Sequence, residues 1–139
     1  MSKLLAKRPL RSILPVLAVA IGFIAGPLAA RAQQPELATS VWCDKAEQIE
    51  SVVRTHVGDG VALPAAVERA NAAAQDPGAC IAATAIVVET GESRRLVIGN
   101  QLMAIEQFMV IGVVKDGQEL RIQPVMWYSA KIVAKLAAV

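Results

Sequence analysis

The chain changes its hydrophobic rhythm once, near residue 80. Before that point the apolar positions follow a helical period, and after it they follow a strand period. From Asp44 to Val57 the apolar residues Ala46, Ile49, Val52, Val53 and Val57 recur at three- and four-residue steps and form one stripe. Asp44 with Glu47 three residues on has the capping-box arrangement, and Gly58-Asp59-Gly60 supplies the stop. A second helix is predicted from Ala62 to about Gln75, with Pro64 in its first turn and a narrow stripe of Leu63, Val67, Ala70 and Ala74. Asp76-Pro77-Gly78 ends it.

From Ile81 onward the residues are β-branched and alternate. Strands are predicted over Ile81 to Glu89, Arg94 to Ile98, Leu102 to Val114 and Glu119 to Tyr128. Turns are expected at Gly91-Glu92-Ser93, at Gly99-Asn100 and at Lys115-Asp116-Gly117-Gln118, the last with glycine where a positive φ is needed. Pro124 cannot donate to a ladder, which puts the fourth strand at an edge or gives it a bulge. The tail from Ala130 to Val139 is expected to be a short helix, and residues 33–41, with Pro35 and no periodicity, a flexible lead-in. The predicted class is α+β: two N-terminal helices packed on a four-stranded antiparallel meander. Both faces of the third strand are apolar, with Met103, Ile105, Met109, Ile111 and Val113 on one and Leu102, Ala104, Phe108, Val110 and Val114 on the other. Two short helices cover only one face, so the sheet is expected to curl into a half-barrel with help from the tail, or to present the second face to another copy or another protein.

The first 32 residues read differently. Lys3, Lys7, Arg8 and Arg11 precede an uncharged apolar run from Ile13 to Ala25, then Gly26-Pro27 and the small residues of Ala30-Arg31-Ala32. This is the three-part pattern of a secretory signal peptide, with cleavage expected after Ala32 and a single domain over 42–139. The alternative, an uncleaved anchor, is disfavoured by Pro15, Gly26 and Pro27 in a run that only approaches the ~20 residues of a membrane span. Five of the 14 basic residues and none of the 12 acidic ones lie before the cut, so a net charge of +2 becomes −3 after cleavage. A mildly acidic domain without a basic cluster lacks the electrostatic footprint of a nucleic-acid binder, and membrane contact is expected only through the leader before it is removed.

An exported domain with two cysteines is expected to pair them, so Cys43 and Cys80 are predicted to form a disulfide. Trp42 beside it is expected to pack as core. The Trp42-Cys43-Asp44 start, the helix end at Asn71 followed by Pro77 and Cys80, the Val-Ile-Gly-Val-Val run at Val110 to Val114, and the Asp-Gly turn before Gln123-Pro124 and Tyr128 resemble small exported proteins of alphaproteobacteria of unknown function. The resemblance implies an exported, disulfide-containing α+β domain and carries no activity.

Chemistry is reached mainly by elimination. His56 is the one histidine, and neither it nor Ser40, Ser51, Ser93 or Ser129 lies in a nucleophile-elbow motif. One histidine and two paired cysteines do not make a zinc site, Cys43 and Cys80 are not a C-x-x-C redox pair, and there is no phosphate-binding glycine loop, so no cofactor and no metal is expected. Glu106, a carboxylate within an apolar strand, is expected at a bulge or facing solvent. Two function classes remain: a non-catalytic binding or interaction module of the cell envelope, using Phe108, Val110, Trp127 and Tyr128 as its surface, or a small secreted enzyme or enzyme-inhibitor-like protein. A pocket bringing His56 or Glu106 together with other polar groups favours the second, and a flat apolar sheet face favours the first. The partner is an envelope protein or a second copy of the chain.

Overall fold

The computed structural model describes residues 34–137. The expected signal peptide, residues 1–32, lies outside them. Four strands and two helices follow one another: β1 (Glu36–Cys43), α1 (Ala46–Val53, continued by a π-helical turn over Arg54–Gly58), α2 (Leu63–Ala74), β2 (Cys80–Ile98), β3 (Gln101–Lys115) and β4 (Gln118–Lys135). All strand pairs are antiparallel. The class is α+β, as the change of period predicts, but the helices stand between β1 and β2 rather than at the N-terminus.

That difference comes from β1, which occupies most of the expected lead-in over 33–41. Its eight residues pair in unbroken register with β2, from Glu36↔Val87 to Cys43↔Cys80. Ala38, Ser40 and Trp42 share one face and Thr39, Val41 and Cys43 the other. With so many small and hydroxylated residues the alternation is weak, and the pairing with β2, which depends on tertiary structure, makes the strand. Pro35 sits just outside it, where no ladder bond is lost.

Two further expectations are corrected. The predicted turn at Gly91 is a bulge inside one long strand. Glu89 pairs with Phe108 and Ser93 with Glu106, so Thr90, Gly91 and Glu92 together oppose Gln107. Gly91 adopts φ 85°, which that bulge uses. The tail is not a helix: β4 runs on to Lys135, pairing Ala130 with Ile105 and Ala134 with Leu102. Unpaired β3 backbone offers this segment a ladder, and its β-branched Ile132 and Val133 fit it. Other expectations hold in the structure. Asp116 and Gly117 both take positive φ in a two-residue hairpin. Pro124 lies in a second bulge, between Val110↔Val125 and Gly112↔Arg121.

Helix α1 starts one residue later than its sequence suggests. The Asp44 N–H is engaged by the Ala79 carbonyl at 2.9 Å, so the cap falls on Lys45, whose N–H donates to Gln48 Oε1 at 3.0 Å. Glu50 and Arg54 make the expected i,i+4 pair, and Glu50 also holds Arg94 of β2 at 2.6 Å. Asn71 clamps the end of α2 to the start of β2. Its Nδ2 donates to the carbonyls of Pro77 and Cys80, and its Oδ1 accepts from the Cys80 N–H at 2.7 Å.

Among the described residues, two of the three buried clusters lie on opposite faces of the strands. Ile49 and Val52 of α1 and Ala66 and Ala70 of α2 pack on Val41, Cys43, Cys80 and Ile105. The second core contains no helix residue: Trp42, Ala85, Val87 and Val110, edged by Phe108, Ile122 and Trp127. Trp42 meets Phe108 edge-on at 5.3 Å, and its indole N–H donates to the Ala83 carbonyl. Val87 and Val110 are completely buried, worth about 1.5–3 kcal/mol each. Among the described residues no helix is long and apolar enough to cross a membrane.

Candidate functional site

Strand order places β1 at one end and β4 at the other, and the two meet through one residue pair, Cys43↔Tyr128. Beside that pair sits the disulfide. Cys43 and Cys80 are direct cross-strand partners, with Cα atoms 4.1 Å apart and Sγ atoms bonded at 2.02 Å. The predicted pairing is therefore present. It ties strand to strand, with both helices inside the loop that it closes. Such a bond is compatible with an oxidising, exported compartment.

Away from Cys43 and Tyr128 the two strands no longer pair, and a cleft of about 610 Å³ opens between them beneath α1. One wall is β1 at Thr39, Ser40 and Val41, with Ala82 to Thr84 of β2 behind it; the other is β4 at Ser129 to Ile132. Ile49, Val52 and Val53 of α1 and Met103 of β3 supply its buried apolar surface, and Leu63 and Ile132 stand exposed. Cleft volume and lining fall within the range of small-molecule pockets.

The polar groups of the cleft are satisfied within the protein. Thr39 and Thr84 share a hydroxyl–hydroxyl bond of 2.7 Å, and Ser40 and Ser129 one of 2.5 Å. His56 lies in the π-helical turn, and its Nδ1 is 2.7 Å from the Val61 carbonyl, which makes Nδ1–H the donor. The Lys131 ammonium lies 2.7 Å from Glu106 Oε1. Hydrogen bonding to that carboxylate, with its charge, raises the Lys131 pKa above the ordinary lysine value against a smaller opposing effect of burial. Glu106 is thus neither in a bulge nor facing solvent: its side chain is 12 % exposed, and its neighbour Gln107 faces the bulge. Glu106 meets Lys131 because the tail continues β4 alongside β3.

The expected interaction surface divides. Val110 is entirely buried and presents nothing to a partner. Phe108 and Trp127 are half-buried at the edge of the same core, because the strands bury this face on their own side chains. Tyr128 packs on the other core, and its hydroxyl accepts from Gln107 Nε2 at 2.9 Å. The exposed large apolar side chains lie elsewhere, among them Val97, Ile132, Val133 and Leu136. Among the described residues there is no group of three or more His, Cys, Asp and Glu placed to hold a metal ion. Ser40, Ser129 and Lys131 come together only because β1 and the tail are strands, so sequence spacing gave no signal for their meeting. No family model, curated protein or solved structure matches the chain.

Proposed function

We propose that this is a non-catalytic binding module of the cell envelope, exported through its leader, and that the cleft between β1 and β4 is where it takes an apolar ligand. The observation that carries the reading is the cleft itself: buried valines, isoleucine and methionine line it, and large apolar side chains stand exposed on it. Solvent-exposed apolar surface is costly unless something covers it part of the time. The sheet is read as a half-barrel curled around Trp42, with the cleft as its unsealed side. The resemblance to small exported alphaproteobacterial proteins, the leader and the disulfide support a periplasmic or secreted location.

Binding of the neutral fluorophore N-phenylnaphthylamine tests the reading. Saturable one-to-one enhancement is expected, weakened by Ile132→Trp and by Thr39→Trp, which obstruct the two walls. Absence of saturable binding, or binding indifferent to both substitutions, overturns it.

A second reading, a small enzyme, rests on His56 sharing the cleft with the Ser40–Ser129 pair. A nucleophile needs its base within hydrogen-bond reach. Here His56 is committed to the Val61 carbonyl and each serine to the other. Hydrolysis of short-chain nitrophenyl esters that is lost in both Ser129→Ala and His56→Ala would establish the enzyme reading in place of the first.

A further inference from the structure

We infer that the cleft selects an uncharged single-chain amphiphile, one carrying hydroxyl or ester oxygens on its head, over a fatty acid or an alkylamine of the same chain length. This rests on the cleft being a binding site.

Lys131 is the one formally charged side chain among the cleft residues, and Glu106 already neutralises it at 2.7 Å. A ligand carboxylate meets a Lys131 whose charge Glu106 already neutralises: the exposed ammonium has N–H donors left, but the neighbouring carboxylate repels a second one. Drawing Lys131 away from Glu106 would leave a carboxylate that is 12 % exposed without its cation, which is unfavourable. A ligand ammonium finds the Glu106 charge already taken up by Lys131, which repels a second cation. His56 offers no compensating donor, since its Nδ1–H is used by Val61 and its other ring nitrogen, in the neutral ring, accepts.

The hydroxyl pairs behave differently. In an O–H···O–H pair one hydrogen is spent and the other remains, together with unused lone pairs. Thr39 with Thr84 and Ser40 with Ser129 therefore each retain one donor and acceptor capacity. A glycerol or ester head can add hydrogen bonds to whichever of the two pairs it reaches without breaking that pair. The site thus rejects both signs of charge and accepts neutral oxygen.

The test uses the mature protein loaded with N-phenylnaphthylamine at about pH 8, where laurate is ionised and laurylamine protonated. Monolaurin, laurate and laurylamine compete for the same site. Monolaurin is expected to displace the fluorophore at a concentration about tenfold or more below either charged ligand. Glu106→Gln leaves the Lys131 charge uncompensated and should bring laurate level with monolaurin or ahead of it; Lys131→Gln should do the same for laurylamine. A wild-type protein that prefers laurate or laurylamine, or ranks all three alike, overturns the inference while leaving the cleft a binding site. If either variant fails to fold, the wild-type ranking decides alone. A protein that does not bind the fluorophore at all removes the binding reading and this inference with it.

Discussion

The same four strands finish in two different ways, around Trp42 and around Ile132. Toward Trp42 they seal: Ala85, Val87 and Val110 are fully buried with strand residues alone around them. Toward Ile132 they part, and β1 and β4 face each other across an apolar cleft edged with hydroxyls. Side-chain size explains much of the contrast. Trp42 and Phe108 fill the sealed region edge-on, whereas Ser40, Ala82, Ala83, Ser129 and Ala130 leave the open side short of volume. A sheet with a strong twist closes only where bulk is available to fill its inside, and the vacancy left elsewhere is a place to bind.

Substitutions can break or sharpen that contrast, and the largest effect is expected at the disulfide that fixes β1 on β2. Replacing Cys43 and Cys80 together by alanine removes a crosslink of sequence separation 37 and should lower stability by about 4 kcal/mol in the chain-entropy model, read from the denaturation midpoint. The unmodified protein should show no free thiol on labelling without reductant.

In the sealed region, Phe108→Ala removes the edge contact with Trp42 and should cost about 3 kcal/mol, at the lower end for a phenylalanine because the ring is only half-buried. Phe108→Glu should unfold the domain rather than release a folded monomer from a dimer.

Gly112 marks a tight approach in the same region. A Cβ there would stand 2.8 Å from Ile86 Cδ1 and 2.9 Å from the Leu120 carbonyl oxygen, and that backbone cannot swing aside. Gly112→Ala is expected to cost about 2 kcal/mol by thermal melting.

On the open side the same size of change should leave stability almost untouched. Ile132 is 54 % exposed, so Ile132→Trp should alter it by less than about 0.5 kcal/mol while weakening fluorophore binding. A large loss of stability there would mean that the cleft wall is packed core.

The smallest effect is one of pH. Lys131 has its pKa raised by Glu106, so its contribution to stability is present at neutral pH and is lost as pH rises through the alkaline lysine range. Lys131 is 60 % exposed, so solvent screens much of the effect. The alkaline decline should be slightly shallower in Glu106→Gln when thermal midpoints are compared.

Sequence pattern was sufficient for the helices, the Asp116-Gly117 hairpin, the Pro124 bulge and the disulfide, because each is written in local spacing or in a unique residue pair. It misplaced what only a distant partner decides. β1 has small residues and no strong alternation, and it becomes a strand because β2 offers it a register. The tail carries Ile132, Val133 and Leu136 at spacings that suit a helix as well as a strand, and β3 chooses for it. The candidate site lies between these two misread segments, so its polar pairs, Ser40 with Ser129 and Glu106 with Lys131, could not be read from the chain.

Since Cys43 and Cys80 face each other in register, β1 and β2 are the two arms of a hairpin whose connection has grown to hold both helices. In the reduced chain this pairing is a long-range contact, and closing its loop is a search that slows folding. Once the sulfurs are joined, the arms are neighbours and the register from Cys43 outward to Glu36 can zip as in a tight turn. The order of events in the compartment then matters: a chain oxidised early meets the low contact order of a hairpin, and a chain oxidised late has to find β1 across the helices first.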